Sequence, residues 1–302
     1  MDNLRQIFDR RLLRLRKARA AAGMERAAFL LEHTVNDLAD RLTLMQRHFP
    51  LGLDLGAHGA RLSEQLMRTG KAGRLLRAAI VPELAGKFDG TAFVCDEEAL
   101  AVAPQSLALV VSALSLQFVN DLPGTLSQIR RALKPDGLFL AALLGGRSLE
   151  QLRAAFAQAE IALTGGLSPR VAPFADVRDL GQLMQRAGFA LPVVDSEILT
   201  VTYGEPRGLM DDLKAMGASN VLSDRRRVPL RRGVLTEAIR VYQRDFGLPN
   251  GRVPATFEII TLTGWAPHQS QQKPLRPGSA QSSLARALEI PPSSTSKNGL
   301  DC

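Results

Sequence analysis

Cysteine is nearly missing from this chain of 302 residues: Cys95 lies in an apolar segment and Cys302 ends a polar tail. That excludes a disulfide framework and a cysteine-based zinc site, and a reducing compartment fits best. Aromatic residues are scarce at 5%, with one Trp and two Tyr, too few to build the stacking platforms of single-strand nucleic-acid binders. No apolar run approaches the roughly 18 to 20 residues that span a bilayer, and the N-terminus lacks the apolar core of a secretory signal. The four histidines, His33, His48, His58 and His268, form neither His-x-Asp nor His-Glu-x-x-His, so no metal motif can be read. What is present is 45% hydrophobic and 23% charged, the balance of a globular chain. At 32.7 kDa it is long enough for one large domain or two ordinary ones.

Basic residues outnumber acidic ones by 38 to 30, a net charge of +8. Residues 1 to 19 concentrate this excess: Arg5, Arg10, Arg11, Arg14, Arg16, Lys17 and Arg19 face only Asp2 and Asp9. Leu4, Ile7, Phe8, Leu12 and Leu15 recur between them at helical spacing, so the stretch reads as a basic amphipathic helix. A transit peptide, a peripheral contact with a membrane or nucleic acid, and a solvated face over the core all fit it. Low aromatic content leaves nucleic acid unexpected as a partner.

A second helical stretch runs from Met24 to about Phe49 and leads into alternating short apolar runs and amphipathic segments. Strands are expected at Leu51–Leu55, Leu75–Ile80, Thr91–Val94, Leu107–Leu114 and Leu138–Leu144, with helices such as Arg61–Thr69 and Pro123–Leu133 between them. Continuously apolar strands such as Leu-Ala-Leu-Val-Val imply burial on both faces, hence a parallel sheet covered by helices. Helices at Leu149–Thr164, Ala175–Ala187, Pro206–Met216 and Leu235–Phe246, and strands near Val193–Tyr203 and Ala255–Leu262, complete an α/β, Rossmann-like sheet of seven strands. The pattern divides into an N-terminal helical extension (1–49), a sheet domain (50–268) with an Arg-rich helical insertion (204–253) suited to cap the ligand edge, and a Pro/Ser-rich tail (269–302), disordered from about Ser282.

Ligands of open α/β sheets bind beyond the C-terminal strand ends where the strand order reverses. Here the first strand runs into Leu51-Gly-Leu-Asp54-Leu-Gly56-Ala57-His58-Gly59-Ala60, a small-residue turn where backbone N–H groups can approach a ligand. The same turn also serves simply to pack a strand on a helix.

From Ile7-Phe8-Asp9-Arg10 to about Ala280 the chain resembles the class I S-adenosylmethionine-dependent methyltransferase-fold family that includes the mitochondrial respiratory complex I assembly factor 5. The likeness rests on Asp96-Glu-Glu-Ala-Leu, Ser112-Ala-Leu-Ser-Leu-Gln-Phe-Val-Asn-Asp-Leu-Pro, Leu133-Lys-Pro-Asp-Gly, Gly166-Leu-Ser-Pro-Arg170, Arg186-Ala-Gly-Phe189, Asp212-Leu-Lys-Ala-Met-Gly-Ala-Ser-Asn220 and Gly264-Trp-Ala-Pro-His268-Gln-Ser-Gln271. Lys-Pro-Asp-Gly is common to many methyltransferases, whereas Ser-Pro-Arg and Trp-x-Pro-His-x-Ser-Gln are more particular. A likeness starting at residue 7 leaves little room for a presequence, so a bacterial cytoplasmic protein is expected, with the mitochondrial matrix as alternative.

The resemblance implies a binding site for S-adenosylmethionine made by Asp54 near its methionine part, the turn Gly56, Ala57, His58 and Gly59, the acids Asp96 and Glu97 toward adenine, and Leu114. Asp96 equally suits capping of the next turn. Several positions depart from the family: His58 replaces a glycine, no carboxylate occupies the region of Ala79 where the ribose acid belongs, Gln117-Phe118 replaces His-Trp, and Ala108 replaces an Asp. Weakened cofactor affinity follows. Gln117, Asn120, Arg170, Trp265 and His268 are the candidates for substrate contacts at the expected pocket mouth, although Trp265 also suits a core role. No catalytic residue is assigned, because methyl transfer from a sulfonium needs placement and desolvation more than acid–base groups, and no metal site is assigned.

The implied function is modification of a protein arginine, by methyl transfer or hydroxylation, on a subunit of NADH-quinone oxidoreductase during complex I assembly. A non-catalytic assembly chaperone and a small-molecule O-methyltransferase are the alternatives.

Overall fold

The structure, a computed structural model, describes residues 6–85 and 91–272. The body ends at His268, and of the stretch Gln269–Cys302 only residues 269–272 are described, so the expected disorder from Ser282 lies outside the described residues. The elements run α1 (Arg10–Ala20), a 3-10 segment (Ala21–Ala27), α2 (Phe29–Thr43), β1 (Phe49–Leu55), α3 (Arg61–Arg68), β2 (Ala72–Ala79), α4 (Pro82–Ala85) and β3 (Ala92–Val94). They continue with β4 (Leu107–Ala113), a 3-10 turn (Leu116–Phe118), α5 (Leu122–Ala132), β5 (Leu133–Leu144), α6 (Glu150–Thr164), α7 (Val177–Arg186), β6 (Ala190–Tyr203), α8 (Pro206–Ala215), α9 (Arg232–Phe246) and β7 (Val253–Trp265).

All seven strands join one sheet in the order β3-β2-β1-β4-β5-β7-β6. β1 pairs in parallel with β2 and β4, β2 with β3, and β4 with β5. The parallel arrangement expected of the βαβ series holds for β1 to β5, and β7 alone runs antiparallel, between β5 and β6. Reversal lets β6 and β7 join as an antiparallel pair, whereas parallel neighbours would need another right-handed crossover.

Alternation along the strands sends side chains to two separate cores. Leu138, Leu140 and Ala142 of β5 meet Leu38, Leu42, Leu66, Tyr242 and Phe257 on the face covered by α2, α3, α6 and α9. Phe139, Ala141 and Leu143 meet Leu126, Ile129, Leu180 and Met184 on the face covered by α5 and α7. Burying one such Leu or Phe contributes about 1.5–3 kcal/mol.

Local chemistry sets the ends of the helices. α1 starts at Arg10 because the Asp9 carboxylate accepts from the Leu12 amide at 2.9 Å. Residues 7–9 instead pair as extended chain with 221–223, through Asp9 N to Val221 O and Ser223 N to Ile7 O, each 2.8 Å. The helix expected over residues 1–19 is therefore shorter at its start, and residues 1–5 lie outside the described residues. The helix expected over Met24–Phe49 divides into a 3-10 turn and α2, ending at Thr43. The insertion between β6 and β7 plays two parts. α9 joins the helix layer through Val234, Ala238, Val241 and Tyr242, while the stretch from Met216 to Leu222 reaches the ligand edge.

Leu38 is fully buried on α2. Leu38→Ala should lower unfolding free energy by about 2–5 kcal/mol in urea titration; a loss below about 1 kcal/mol would mean that α2 is not part of the cooperative unit.

Candidate functional site

Because the strand order reverses at β1 and β4, their C-terminal ends diverge into a crevice. β1 leaves the sheet at Gly56, whose φ of +75° suits glycine. A Cβ there would stand 2.1 Å from Ser115 Oγ, so glycine is required for contact as well as conformation. The Gly56 and Ala57 amides donate to Ala78 O at 2.8 and 3.0 Å, and the Gly59 amide donates to Leu84 O at 2.9 Å. These three amides anchor the turn to β2 and α4 and are not aimed at a ligand, a correction to the cradle expected from the sequence.

Asp54, at the end of β1, is 1% exposed and lies in register with Arg77 of β2. Burial pushes its carboxyl up to about 8 despite the opposing pull of the Arg77 guanidinium. Its Oδ2 has no hydrogen-bond partner. His58 turns inward, its Nε2 standing 3.4 Å from Leu114 O, so the ring occupies the crevice that a glycine would leave open. Burial and the nearby Lys17 charge hold the imidazole neutral, pushed down to about 3. Leu114 supports this arrangement from a left-handed backbone, φ +52°, with its carbonyl also accepting from Gln117 Nε2 at 2.8 Å.

Asp96 and Glu97, after β3, form a ledge at the crevice mouth. Glu97 is 2% exposed; its Oε1 accepts from Ser115 Oγ at 2.6 Å and its Oε2 accepts from Arg10. Asp96 Oδ1 accepts from Arg10 at 2.5 Å and from the Glu98 amide at 3.0 Å, while Oδ2 accepts from Arg14 at 2.5 Å. Burial raises the Asp96 carboxyl, but the Glu98 amide and the two guanidinium groups outweigh it and hold it below the usual range. Where the ribose acid was looked for, Ala79, Ile80 and Val81 instead pack with Phe8 and Leu13 of the N-terminal segment.

The substrate candidates separate. Gln117 is buried beside the crevice with its Oε1 unpartnered. Asn120 clamps the N-terminal segment: Oδ1 accepts from Phe8 N at 2.8 Å and Nδ2 donates to Phe8 O at 3.1 Å. Arg170 neutralises Glu160, 1% exposed on α6, across 2.5 Å, and borders an apolar cavity of about 230 Å³. Trp265 and His268 do not reach the mouth. Because β7 is antiparallel, Trp265 pairs with Leu138 at the start of β5, at the opposite edge of the sheet. There Trp265 packs on Phe49 at 6.3 Å and under Arg47 at 6.0 Å.

Two residues were missed as site residues, Arg10 and Lys17. Lys17 shares its helix face with Leu13 and Ala20 and is 6% exposed. Its spacing of four from Leu13 was a readable signal, obscured by the surrounding basic residues. Lys17, His58, Leu114, Gln117, Phe118 and Leu144 help line a cavity of about 60 Å³. A pocket for a drug-sized ligand has about 300–1,000 Å³. Unpartnered buried atoms of Asp54, His58 and Gln117 fit the polar end of a cofactor, whereas side chains of the N-terminal segment fill the nucleoside side.

Among the described residues no group of three His, Cys, Asp or Glu is placed to hold a metal ion, and no helix is long and apolar enough to cross a membrane.

Comparison with known proteins agrees with this geometry. A family described as a methyltransferase domain matches residues 53–141. The chain is 36% identical over 290 residues to the mitochondrial arginine-hydroxylase NDUFAF5 of Danio rerio, covering 94% of this chain and 90% of that protein. It is 34% identical over 268 residues to a malonyl-(acyl-carrier protein) O-methyltransferase of Halorhodospira halophila, covering 86% and 89%. The solved structure of YcgJ from Bacillus subtilis shares the fold, with a TM-score of 0.53 at 12% identity over 78% of this chain and 99% of that one.

The Asp54 carboxyl ionises at 3.8 when unperturbed and at about 8 when folded, so between those values the unfolded chain binds fewer protons and stability falls as pH rises. Urea titrations should show a decline of about 1 kcal/mol per pH unit from about pH 5 to 7 that Asp54→Asn abolishes; parallel profiles for both proteins would show that the carboxyl is not held neutral.

Proposed function

The chain belongs to the class I S-adenosylmethionine-dependent methyltransferase family that includes arginine-hydroxylase NDUFAF5, and on that premise we propose that it binds S-adenosylmethionine in the β1–β4 crevice and modifies an arginine of a protein partner. The target in this reading is a subunit of NADH-quinone oxidoreductase during assembly, in the bacterial cytoplasm. The observation that carries the cofactor assignment is the pair of unpartnered buried polar atoms, on His58 and Gln117, in the cavity beside the β1 turn at the switch point, where each costs about 1–3 kcal/mol unless a ligand meets it.

Two features support an arginine target. The relatives named arginine-hydroxylase cover nearly the whole chain, and the Asp96–Glu97 ledge already seats a guanidinium, that of Arg10, between two carboxylates. Bound S-adenosylmethionine supplies an electrophilic methyl group. What the chain adds is an apolar wall of Leu114, Phe118 and Leu144 that excludes water. The apolar replacement of the ribose acid belongs to this reading as a cause of weak cofactor affinity.

A second reading, an assembly chaperone without catalysis, is favoured by the way Phe8 and Leu13 pack against Ile80 and Val81 on the nucleoside side.

Calorimetry separates the two. Saturable heat with S-adenosylmethionine, reduced at least tenfold in affinity by Asp54→Ala, is expected for the enzyme; no heat with the intact protein leaves the chaperone. Mass spectrometry of complex I subunits from a deletion strain should show one arginine lacking about 14 Da (one CH₂) or about 16 Da (one O), and unchanged masses would remove the arginine target.

A further inference from the structure

The cavity of about 230 Å³ that Arg170 borders lies between α6, α8 and the loops that carry Val171 and Leu222. Its walls include Leu152, Phe156, Phe174, Met210, Leu213 and Leu230. Among the described residues, none of the buried side-chain atoms left without a partner belongs to this wall. Asn220, at its border, donates through Nδ2 to Pro169 O at 2.8 Å and accepts through Oδ1 from the Leu222 amide at 3.0 Å, and Arg170 is neutralised by Glu160. The interior therefore asks for no hydrogen bond, and what fits it is hydrocarbon.

The edge differs. Arg153 follows Leu152 on α6, and its Nη2 donates to Ser148 O and to Ala172 O, each at 3.3 Å; Ala172 is itself part of the cavity wall. A guanidinium carries five N–H donors. Among the described residues no carboxylate lies within ion-pair distance of this one, so a half-buried cation is left with two neutral carbonyls. The loop between Leu222 and Leu230, both in the wall, adds Arg225, Arg226 and Arg227 against Asp224. The Arg226 amide holds that loop to Ser168 Oγ at 3.3 Å. An apolar interior under a cationic edge is complementary to a molecule with one hydrocarbon end and one anionic end.

Size narrows the class. An apolar cavity of about 150 Å³ accepts benzene, with its six carbons, so by proportion this one accepts about nine. Paired acyl chains exceed that volume, whereas one chain of roughly eight to ten carbons matches it. An apolar side chain from a protein partner would leave Arg153 without a counter-charge. A carboxylate brings the single negative charge that one guanidinium balances, and it accepts parallel N–H bonds from the fork.

We propose that this cavity binds a medium-chain fatty carboxylate, its chain between α6 and α8 and its head on Arg153. Phe118 and Leu144 line both this cavity and the one beside the β1 turn, so the occupied site shares a wall with the ligand crevice. It needs no cofactor and stands apart from the reading above.

The test is calorimetry at pH 7 on the full chain, with hexanoate, octanoate, decanoate and dodecanoate as probes and decanol as the uncharged counterpart. On the unaltered protein, affinity rises about fourfold per methylene as far as decanoate and levels off at dodecanoate, and decanol binds at least tenfold more weakly than decanoate. Arg153→Gln weakens decanoate by about 10–100-fold and leaves decanol unchanged. Leu230→Trp, which fills the cavity, abolishes binding of both. Circular dichroism and thermal midpoint establish that the variants fold, and the comparison of decanoate with decanol needs no variant.

Equal affinity for decanoate and decanol, or a decanoate affinity indifferent to Arg153→Gln, overturns the carboxylate site. Decanoate binding that survives Leu230→Trp lies elsewhere on the molecule and overturns it too. Absence of heat with decanoate on the unaltered protein does the same, whatever the outcome with S-adenosylmethionine.

Discussion

The Arg10 guanidinium, held between Asp96 and Glu97, is the contact on which the arrangement of the ligand edge depends. It is 12% exposed, and its partners come from the loop after β3, so it fastens the start of α1 across the ends of the parallel strands. The pair is partly buried and takes further bonds from Ser115 and the Glu98 amide, the setting in which removing one member leaves a desolvated charge behind. Once α1 is fixed there, Leu13 and Lys17 follow one and two turns later on the inner face, and the apolar and cationic parts of the crevice are in place together.

The rest of the fold makes such a contact possible. β1, β4 and β5 are buried on both faces and cannot supply exposed polar groups except at their ends, so chemistry concentrates in the turns after β1, β3 and β4. Glu97 and Ser115 come from those turns and Asp54 from the end of β1, and Gly56 is the position that Ser115 and Glu97 both approach closely. The same close approach explains why the amides of the turn are spent on β2 and α4: a chain that bends this sharply beside a neighbouring strand satisfies its own donors first.

Much of the frame was legible in the sequence. Apolar runs placed the central strands because burial on both faces leaves a continuous hydrophobic signature, whereas β3 and β6 are half-exposed edges; Asp54, Gly56 and His58 fell at the strand end where the reading put them. The direction of β7 was not legible, since a buried strand reads alike in either direction; that reversal carried Trp265 and His268 to the far edge. Lys17 was hidden for a different reason. Charge pattern assigns a lysine to the solvent face, and only the tertiary packing of Met216 and Phe118 over α1 shows that this one points inward. Asn120 and Arg170 were recognised as polar and unusual, but their partners, Phe8 and Glu160, are distant or unremarkable in sequence.

The two margins of the sheet differ in length, yet both resist extension. β3 has three residues, too short to template another chain. β6 has fourteen, but it opens with an irregularity between Ala190 and Val193 around Pro192, and Arg41 ties down Asp195 while His33 meets Glu197. A proline and ionised side chains along an outer strand disfavour recruitment of a foreign strand. Amyloid-like growth is thus blocked at the flanks of the molecule.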